Sequence, residues 1–427
     1  MLKFVPRYFL FLLIFCGLAA FWIIFSAQRT NSISWLFIHE KQESEGTVSS
    51  TEINSTSKIE PVTSESVSKT PLRIHPNKSE TSHQPSKKVV IFAATKYFSQ
   101  RIQDAAFMDL CHQTTKDYCR ITDDFRELNS SDAVIFHYRN YPTQMMSSNE
   151  TERRKEESIW RHPIRPIILM TQESPISDDL SRVQSDLINW TMTYRQNSDI
   201  WYPYAHLVRR EQEQKVDFEA IWAMKNHNKT ASWLVSNCET SNHRLKLGKK
   251  IREIGLSIDI YGACGLSIPN CPSGMACAVS TLKPYKFYMA FENANCKQYV
   301  TEKFFEALRS RISVPIVISR RFYKNVAPAE SFIAVDDFSN LKDFVAHVIR
   351  VSNDKALYLK YHEWRQIYEV KLGDDEGTGM CELCRRLQYP IDSSKIYKDL
   401  ASWYRNDDTC DQSIALRFFD IPSDPGS

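Results

Sequence analysis

The chain of 427 residues contains few glycines and none of the glycine patterns that form phosphate-binding loops. It has eleven glycines, and no GxGxxG sequence occurs among them. That pattern provides the tight turn and the close backbone approach of dinucleotide-binding folds. Its absence excludes a dinucleotide-dependent dehydrogenase.

An excess of charge of one sign is also lacking. The 54 Lys and Arg residues nearly balance the 51 Asp and Glu residues, which gives a formal net charge of +3 with opposite signs interspersed. No basic stripe interleaved with aromatic residues occurs. Proteins that bind nucleic acid normally carry such a basic patch. The sequence therefore indicates no nucleic-acid partner.

One long apolar run lies near the N-terminus. Tyr8 to Ala27 carry no charge, and these twenty residues at about 1.5 Å rise span the roughly 30 Å hydrocarbon core. Lys3 and Arg7 precede the run, so the positive-inside rule keeps residues 1–7 as a cytoplasmic tail and makes 8–27 a transmembrane signal anchor of type II. A cleaved signal peptide is the alternative. However, the run is long for one, and its end, FSA, lacks a small residue three positions before the cut.

Residues 28–87 are rich in Ser, Thr, Glu and Lys and show no sustained hydrophobic period. Such a segment cannot bury enough apolar surface to offset the entropy lost on ordering. The sequence predicts a disordered stem. A small interaction region beside the membrane, built on Trp35, Leu36 and Phe37, is the alternative.

Cysteines and glycosylation sequons agree with a lumenal location. Ten of the eleven cysteines lie beyond the apolar run. Disulfides and N-glycans both form in oxidising, glycosylating compartments. The six sequons start at Asn54, Asn77, Asn129, Asn149, Asn189 and Asn228.

About 340 residues follow the stem, which is more than one ordinary core accommodates and suits two domains. Helical periodicity follows several short apolar runs, and this alternation is typical of parallel sheets covered by helices. A charged segment, 211–229, separates two halves. The predicted strands are Val89–Ala93, Ala133–Phe136, Pro166–Met170, Ala231–Val235, Ser257–Tyr261, Tyr285–Phe291, Val314–Ile318 and Phe332–Val335. The predicted helices include Glu302–Arg311, Leu341–Val351 and Lys355–Trp364.

Polar residues follow three of the predicted strands. Glu173 comes after PIILM, Arg244 follows ASWLV after a short loop, and Asn293 ends FYMAF. Ligands of open α/β sheets bind beyond the carboxyl ends of the strands. One site could therefore gather these three side chains.

The stretch 285–308 combines a strand, a polar elbow and a helix. The elbow ends in Tyr299, and the helix opens with Thr301-Glu302-Lys303. A helix start has unpaired backbone N–H groups and the positive end of the helix dipole, both of which attract anions. A lysine is unfavourable at that end unless an anion binds there. Lys303 therefore indicates an anionic ligand such as the diphosphate of a sugar nucleotide.

This stretch resembles the signature of the α1,3-fucosyltransferases, glycosyltransferase family 10, which is roughly FYxAFEN, a short gap and YxTEK. The counterparts are FYMAFEN at 287–293 and YVTEK at 299–303, and a weaker resemblance extends from Lys88 to Cys384. The resemblance implies an α/β GT-B fold, in which two Rossmann-like domains face a cleft, in a single-pass type II Golgi membrane protein. We assign 88–210 to an N-terminal acceptor-side domain, 211–384 to a C-terminal GDP-fucose-binding domain and 385–427 to a C-terminal tail.

The resemblance also implies a catalytic base. Glu173 lies in TQESP, which resembles the family's ESP motif, where the glutamate is the proposed base. A positioned base of this kind contributes roughly 10²–10⁴-fold to the rate. The local alternatives are that Glu173 caps a helix around 178–187 or pairs with a nearby arginine.

The resemblance likewise implies which residues bind the donor. Arg244 and Lys303 would hold the departing diphosphate, while Asn293, Tyr299 and Glu302 would complete the contacts to the sugar nucleotide. Fixed cations and helix N–H groups can neutralise such charge in a water-poor cleft. Alternatively, Arg244 is a surface arginine and the pair Glu302 and Lys303 belongs to a plain amphipathic helix.

The resemblance implies GDP-fucose as donor substrate and no protein-bound metal, with manganese stimulation possible. No DxD triplet, the usual manganese-holding pattern of other glycosyltransferases, occurs. Asp336-Asp337 and Asp374-Asp375 could attract a cation, but paired carboxylates in loops are mostly solvated. Cys381 and Cys384 form a CxxC without a second ligand pair, so zinc and redox roles are disfavoured and the family trait of a structural disulfide is expected.

These features predict an inverting α1,3-fucosyltransferase that moves L-fucose from GDP-fucose to a GlcNAc hydroxyl of glycoprotein or glycolipid glycans. A glycosyltransferase of the same architecture with another donor is one alternative. A catalytically silent Golgi glycan-binding protein is the other. The acceptor stays open among core chitobiose, Lewis-type lactosamine and LacdiNAc.

Overall fold

A computed structural model of the chain describes residues 87–183, 185–268, 271, 276–373, 375, 377–391, 395–405 and 409–419. Apart from Ala276, these residues belong to one compact unit. The predicted tail, anchor and most of the stem, with Asn54 and Asn77, lie outside the described residues. Within the described part of the chain, no helix combines the length and apolar character required to cross a bilayer.

The described strands form two parallel sheets and one antiparallel ribbon. The first sheet has the order β2-β1-β3-β4-β5-β6, and the second has the order β12-β11-β10-β8-β9. The strands are β1 Val89–Ala93, β2 Cys119–Thr122, β3 Ala133–His137, β4 Ile167–Thr171, β5 Trp190–Thr193, β6 Ile200–Trp201, β7 Ala205–Arg209, β8 Ala231–Leu234, β9 Ile258–Tyr261, β10 Phe287–Met289, β11 Val314–Val317, β12 Ile333–Ala334 and β13 Tyr368–Leu372.

Helices cover both sheets. The described α-helices are α1 Gln113–Tyr118, α2 Glu150–Trp160, α3 Phe218–Ala223, α4 Arg244–Ile254, α5 Ala276–Leu282, α6 Glu302–Arg309, α7 Leu341–Asn353, α8 Lys355–Lys360, α9 Gly379–Arg386, α10 Leu400–Tyr404 and α11 Ile414–Phe419. Short 3-10 turns connect many of these elements. Two such turns, Leu180–Arg182 and Ser185–Leu187, stand where the sequence predicted one helix around 178–187.

The central strands β3 and β4 of the first sheet are buried along their whole length, which explains their nearly continuous apolar sequences. Successive side chains of β3 point to opposite faces, so Val134 and Phe136 pack in one core while Ala133 and Ile135 pack in another. The second sheet has its own large core, which includes Trp233 and Phe287.

The ribbon joins the two halves of the chain. β7 follows the first sheet, and β13 returns from the second half to pair with it, with Val370 opposite Leu207. Gly373 directly follows β13, and a Cβ atom there would lie 1.6 Å from the carbonyl oxygen of Pro203. Only glycine permits this close approach between the strand ends.

Residues near the C-terminus return to the first sheet. Leu383 of α9 is buried in the core on one face, and Leu400 and Tyr404 of α10 are buried in the core on the other face. Helix α11 contacts α4 of the second half. We predicted that residues 385–427 form a C-terminal tail. The described part of this segment is instead integral to the folded unit.

Five disulfides pair the ten cysteines that lie beyond the predicted anchor: Cys111–Cys381, Cys119–Cys384, Cys238–Cys264, Cys271–Cys277 and Cys296–Cys410. Cys381 and Cys384 are both disulfide-bonded, but not to each other. Both lie on α9, and this helix packs against the first half, where Cys111 and Cys119 are located. The CxxC therefore fastens α9 to the first half of the chain at two points, one of which, Cys119, lies in β2.

Among the described sequons, Asn189 has a structural role. Its Oδ1 accepts a hydrogen bond from the backbone N–H of Ile167 at 2.8 Å. Its Nδ2, the atom that would carry a glycan, donates to the carbonyl of Lys395 at 3.0 Å. The sequon residue Thr191 is buried. The amide of Asn189 is thus engaged at the start of β4.

We expect Asn189 to be unglycosylated in the folded protein because its amide nitrogen is already engaged. The other described sequons serve as internal controls, since the exposed residues Asn129, Asn149 and Asn228 leave their side chains accessible. The measurement is glycopeptide mass spectrometry after enzymatic deglycosylation in heavy-oxygen water. Full glycan occupancy at Asn189 would contradict the expectation.

Candidate active site

Side chains from both sheets meet where the parallel strands end. Glu173 follows β4 of the first sheet, whereas Asn293 and Tyr299 follow β10 of the second sheet. The elbow after β10 packs into the core of the first half, because Ala294, Cys296 and Tyr299 are buried there. The two halves of the site are therefore in direct contact.

A hydrogen bond joins the predicted base to the predicted donor side. The hydroxyl of Tyr299 donates to Oε2 of Glu173 at 2.9 Å. Burial, and next to it the negative charge of Glu173, holds the pKa of Tyr299 well above its usual value. The phenol therefore stays protonated, so Tyr299 donates to Glu173 and does not compete as a base.

Hydrogen bonds also hold the main chain of Glu173 in place. Its N–H donates to Thr171 Oγ1 at 3.1 Å, and its carbonyl accepts a hydrogen bond from the hydroxyl of Tyr404. Arg405 donates to the carbonyl of Pro175 at 3.1 Å. Within the described residues, Glu173 neither caps a helix nor pairs with an arginine, so the two local alternatives raised for it do not apply.

The start of α6 is organised around a second glutamate, Glu292. Thr301 is the N-cap residue, and both its N–H and its hydroxyl donate to the Glu292 carboxylate, at 2.8 and 2.7 Å. Glu292 is 5% exposed, and this burial raises its pKa although Lys303 opposes the shift. A protein carboxylate thus occupies part of the positive helix end. Glu292 was not among the residues predicted for the site.

Lys303 lies between two carboxylates. Its Nζ is 2.9 Å from Glu302, 3.5 Å from Glu292 and 2.9 Å from the hydroxyl of Thr301. Burial alone would lower the pKa of Lys303, but the two carboxylates outweigh it and hold the pKa above its ordinary value. The anions that compensate Lys303 in this structure are therefore glutamates of the protein itself.

Arg244 is a buried cation without an ion pair among the described residues. It is 2% exposed, and its guanidinium donates to the carbonyls of Phe291 at 2.7 Å and Asn237 at 2.9 Å. Burial lowers its pKa from the ordinary value, and Glu292 acts in the opposite direction. It is not a surface arginine. A buried positive charge without a carboxylate partner is expensive unless an anion binds.

Two buried polar atoms of the site have no hydrogen-bond partner among the described residues. They are Nε of Arg244 and Oδ1 of Asn293. Buried polar atoms are nearly always paired in native proteins, so such exceptions point to a ligand. The positive charge of Arg244 also lowers the pKa of Lys303, against the stronger effect of the glutamates.

The backbone around the site holds uncommon conformations. His243, immediately before α4, has φ +53°, and Gln298, immediately before Tyr299, has φ +65°. Non-glycine residues in this region are strained by an amount on the order of 1–3 kcal/mol and cluster at functional sites. Gln298 exchanges hydrogen bonds with Gln196 of the first half, at 3.0 and 2.9 Å, and these contacts fix the elbow.

The three described carboxylates that we considered as cation ligands, Asp336, Asp337 and Asp375, have partners within the protein. Both oxygens of Asp337 accept hydrogen bonds from the Arg320 guanidinium, at 2.7 and 2.6 Å, and Asp336 accepts from the Arg320 N–H at 2.9 Å. Asp374 lies outside the described residues. In the part of the chain that the structure describes, no three His, Cys, Asp or Glu side chains gather as a metal site.

A carboxylate, two cations and a helix start at the ends of parallel strands can take a proton from a hydroxyl and hold a diphosphate. An α/β fold with such a site is that of a nucleotide-sugar glycosyltransferase. The family description "Glycosyltransferase family 10 (fucosyltransferase) C-term" matches residues 224–403, and "Fucosyltransferase, N-terminal" matches residues 86–205. The chain belongs to glycosyltransferase family 10.

Two fucosyltransferases of Caenorhabditis elegans support this membership. The chain is 42% identical to alpha-(1,3)-fucosyltransferase fut-6 of Caenorhabditis elegans, over 78% of this chain and 84% of the relative. It is 37% identical to alpha-(1,3)-fucosyltransferase fut-5 of the same organism, over 78% of this chain and 86% of the relative. A crystal structure of an alpha1,3-fucosyltransferase aligns with a TM-score of 0.46 and 16% identity, over 74% of this chain and 93% of that one.

Proposed function

We propose that this protein is an inverting α1,3-fucosyltransferase that moves L-fucose from GDP-fucose to a GlcNAc hydroxyl of glycoprotein or glycolipid glycans. The observation that carries the proposal is the hydrogen bond between Glu173 and Tyr299. It joins a carboxylate of the first half to the loop of the second half that leads into α6, the helix on which Lys303 lies. The family and the names of the relatives support the donor and the linkage.

In this proposal Glu173 accepts the proton of the acceptor hydroxyl as that oxygen attacks the fucose carbon. Tyr299 holds the carboxylate in place through its phenol. The Thr171, Tyr404 and Arg405 contacts prevent the loop from moving away. Inversion follows if the base and the departing diphosphate stand on opposite faces of the sugar.

Arg244 and Lys303 receive the charge that develops on the diphosphate. Arg244 has an unpaired Nε for this purpose, and Lys303 can turn from Glu302, which is 52% exposed in its side chain, toward a phosphate oxygen. Asn293, Glu302 and Tyr299 complete the contacts to the sugar nucleotide. Fixed cations of this kind supply the positive charge that a bound metal supplies in other glycosyltransferases. We therefore propose that no protein-bound metal is required. Whether manganese stimulates transfer is a matter for measurement.

We further propose that the two halves form the GT-B arrangement, with a cleft between two Rossmann-like domains. Residues 8–27 would anchor the protein in the Golgi membrane, and residues 28–87 would form the stem, so that the catalytic region lies in the lumen. The complete pairing of the ten cysteines beyond residue 27 supports an oxidising compartment.

The test is incubation of the purified protein with GDP-fucose and a glycan array, with and without a chelator, followed by NMR of the product linkage. Other GDP-sugars and UDP-sugars compete in parallel reactions. We expect transfer from GDP-fucose alone, onto GlcNAc-containing glycans, in an α linkage and without loss after chelation. Preference for another sugar nucleotide, or no turnover of any donor, would overturn the proposal.

A further inference from the structure

The described residues near the C-terminus contact both halves of the molecule. Helix α10 packs in a core of the first half, and α11 contacts α4 of the second half. We call residues 395–405 and 409–419 the C-terminal strap. The chemistry proposed above uses only two of its contacts, the hydrogen bonds from Tyr404 and Arg405 to the loop of Glu173. The other contacts of the strap extend its role to the second half.

The strap is attached to the first half at its start. The hydroxyl of Tyr397 donates to Oδ2 of Asp199 at 2.7 Å, and Lys395 forms an ion pair with the same carboxylate. The N–H of Tyr397 donates to the carbonyl of Ile188 at 3.2 Å. These bonds fix the segment that leads into α10.

The end of α10 contacts the proposed base. Tyr404 is 1% exposed, and its hydroxyl donates to the carbonyl of Glu173. Burial raises the pKa of Tyr404 well above its usual value, so the phenol stays protonated as a donor. The buried guanidinium of Arg195 donates to the Tyr404 carbonyl at 2.9 Å, which fixes the tyrosine in turn. The ring of Tyr194 lies 6.2 Å from that of Tyr404 and 5.3 Å from that of Tyr299.

The later part of the strap is bonded to the elbow that carries Tyr299. Cys410 forms a disulfide with Cys296, three residues before Tyr299. The carbonyl of Cys296 accepts a hydrogen bond from the Tyr299 N–H at 3.1 Å. The disulfide is therefore attached to the turn that presents the phenol to Glu173.

Backbone hydrogen bonds surround this disulfide. The N–H of Lys297 donates to the carbonyl of Thr409 at 2.6 Å, and the N–H of Asp411 donates to the carbonyl of Asn295 at 2.8 Å. The side chain of Gln412 accepts from the Asn295 N–H at 3.1 Å and donates to its carbonyl at 3.3 Å. The strap thus holds the elbow on both sides of Cys296.

The strap consequently contacts both partners of one hydrogen bond. That bond joins the hydroxyl of Tyr299 to Oε2 of Glu173 at 2.9 Å. Tyr404 binds the residue that accepts it, and Cys410 is bonded to the turn of the residue that donates it. The cations of the diphosphate site are held differently, since Arg244 binds the carbonyls of Phe291 and Asn237.

We propose that the C-terminal strap positions the general base, with Tyr404 and the Cys296–Cys410 disulfide as positioning residues that keep Glu173 and Tyr299 aligned for proton transfer. This inference rests on the proposed function, because it takes Glu173 as the base. A misplacement of about 1 Å at a reacting group can cost roughly 10²-fold in rate. Loosening either contact should therefore slow transfer although no reacting group is removed.

The test uses two kinds of strap variant, both prepared as full-length protein in mild detergent. The double variant Cys296→Ser with Cys410→Ser opens the disulfide and leaves neither thiol free. Tyr404→Phe removes one hydroxyl and keeps the ring, so it remains informative if the double variant folds poorly. The measurements are kcat and KM for transfer, calorimetric titration of GDP and thermal unfolding.

Matched controls make the same chemical changes away from Glu173. The double variant Cys119→Ser with Cys384→Ser opens a disulfide at the first residue of β2, which lies at the amino edge of the parallel sheet. Tyr358→Phe removes a buried hydroxyl that donates to the carbonyl of Lys286 at 3.0 Å, directly before β10. Both controls should lose stability and keep the parent kcat.

We expect each strap variant to lower kcat by about 10- to 100-fold, with GDP affinity unchanged. The two changes combined should cost less than the product of their separate effects, because they act on the same hydrogen bond. Parent-like kcat in the folded disulfide variant, or an equal fall in the controls, would overturn the proposal.

Backbone hydrogen exchange provides a readout that does not require turnover. Peptides containing Glu173 and Tyr299 should exchange faster in the Cys296→Ser, Cys410→Ser variant than in the parent, and should not change in the Cys119→Ser, Cys384→Ser control. Unchanged exchange in the strap variant would overturn the positioning role. Faster exchange in a protein whose parent transfers no fucose would leave that role standing and defeat the proposed function instead.

Discussion

Glu173→Gln is expected to lower fucosyl transfer by about 10²–10⁴-fold, the contribution of one positioned general base, while GDP binding is kept. The amide oxygen of glutamine can still accept the hydrogen bond from the Tyr299 hydroxyl, so the 2.9 Å contact and the loop geometry survive. The amide cannot take a proton from the acceptor hydroxyl. The measurement combines the initial rate of transfer with calorimetric titration of GDP.

A matched control separates this effect from a general loss of negative charge. Glu330→Gln makes the same chemical change at an exposed position in the short turn Ala329–Ser331, and it should transfer fucose at the parent rate. Glu173→Asp offers a second check, because it keeps the charge but retracts it by one methylene from Tyr299. Normal turnover in a cooperatively folded Glu173→Gln protein would exclude this residue as the base.

The sequence predicted the strands around the site, because the buried strands of this chain are short apolar runs. The predicted strands at Val89–Ala93 and Ala231–Val235 match β1 and β8 within a residue. Polar residues directly after such strands must lie at one edge of a sheet. That rule led us to expect Glu173, Arg244 and Asn293 in one site. Tyr299, which bonds to Glu173 from 126 residues away in sequence, was selected only through the family resemblance.

Strands without a continuous apolar run were not predicted. β5 reads WTMT and uses two threonines whose hydroxyls bond to neighbouring side chains, Asp199 and Ser198. β2 reads CRIT and lies at the sheet edge, where alternating polar residues are tolerated. The β7–β13 ribbon pairs segments distant in sequence, and no local pattern specifies such a partner.

The sequence predicted which kinds of charged side chain lie near the site, but not which of them pair with each other. We expected Lys303 to pair with an anion of the ligand, but Glu292 and Glu302 already compensate its charge. The sequence places Glu292 next to Asn293, and only the fold shows that it accepts two hydrogen bonds from Thr301. Tyr404 lies in a segment that we read as a tail, so no signal in the sequence linked it to Glu173.

Lys303→Gln is expected to weaken GDP binding by roughly 10- to 100-fold, as expected for loss of a charge-assisted hydrogen bond of about 1.5–3 kcal/mol. Transfer should fall further, by about 10²–10³-fold, because charge on the diphosphate grows as the bond to fucose breaks. The variant also leaves Glu292 and Glu302 uncompensated beside the diphosphate site. Calorimetric titration of GDP and single-turnover transfer rates measure the two effects separately.

The same substitution at an exposed lysine provides the control. Lys342→Gln on α7 should bind GDP and transfer fucose as the parent does, because its side chain faces solvent. Some loss of stability is expected in Lys303→Gln, since Glu292 is buried and loses its cation. A thermal unfolding curve therefore establishes that the variant is folded at the assay temperature. Parent-like GDP affinity and turnover in that folded variant would remove Lys303 from the diphosphate site and leave Arg244 as its principal cation.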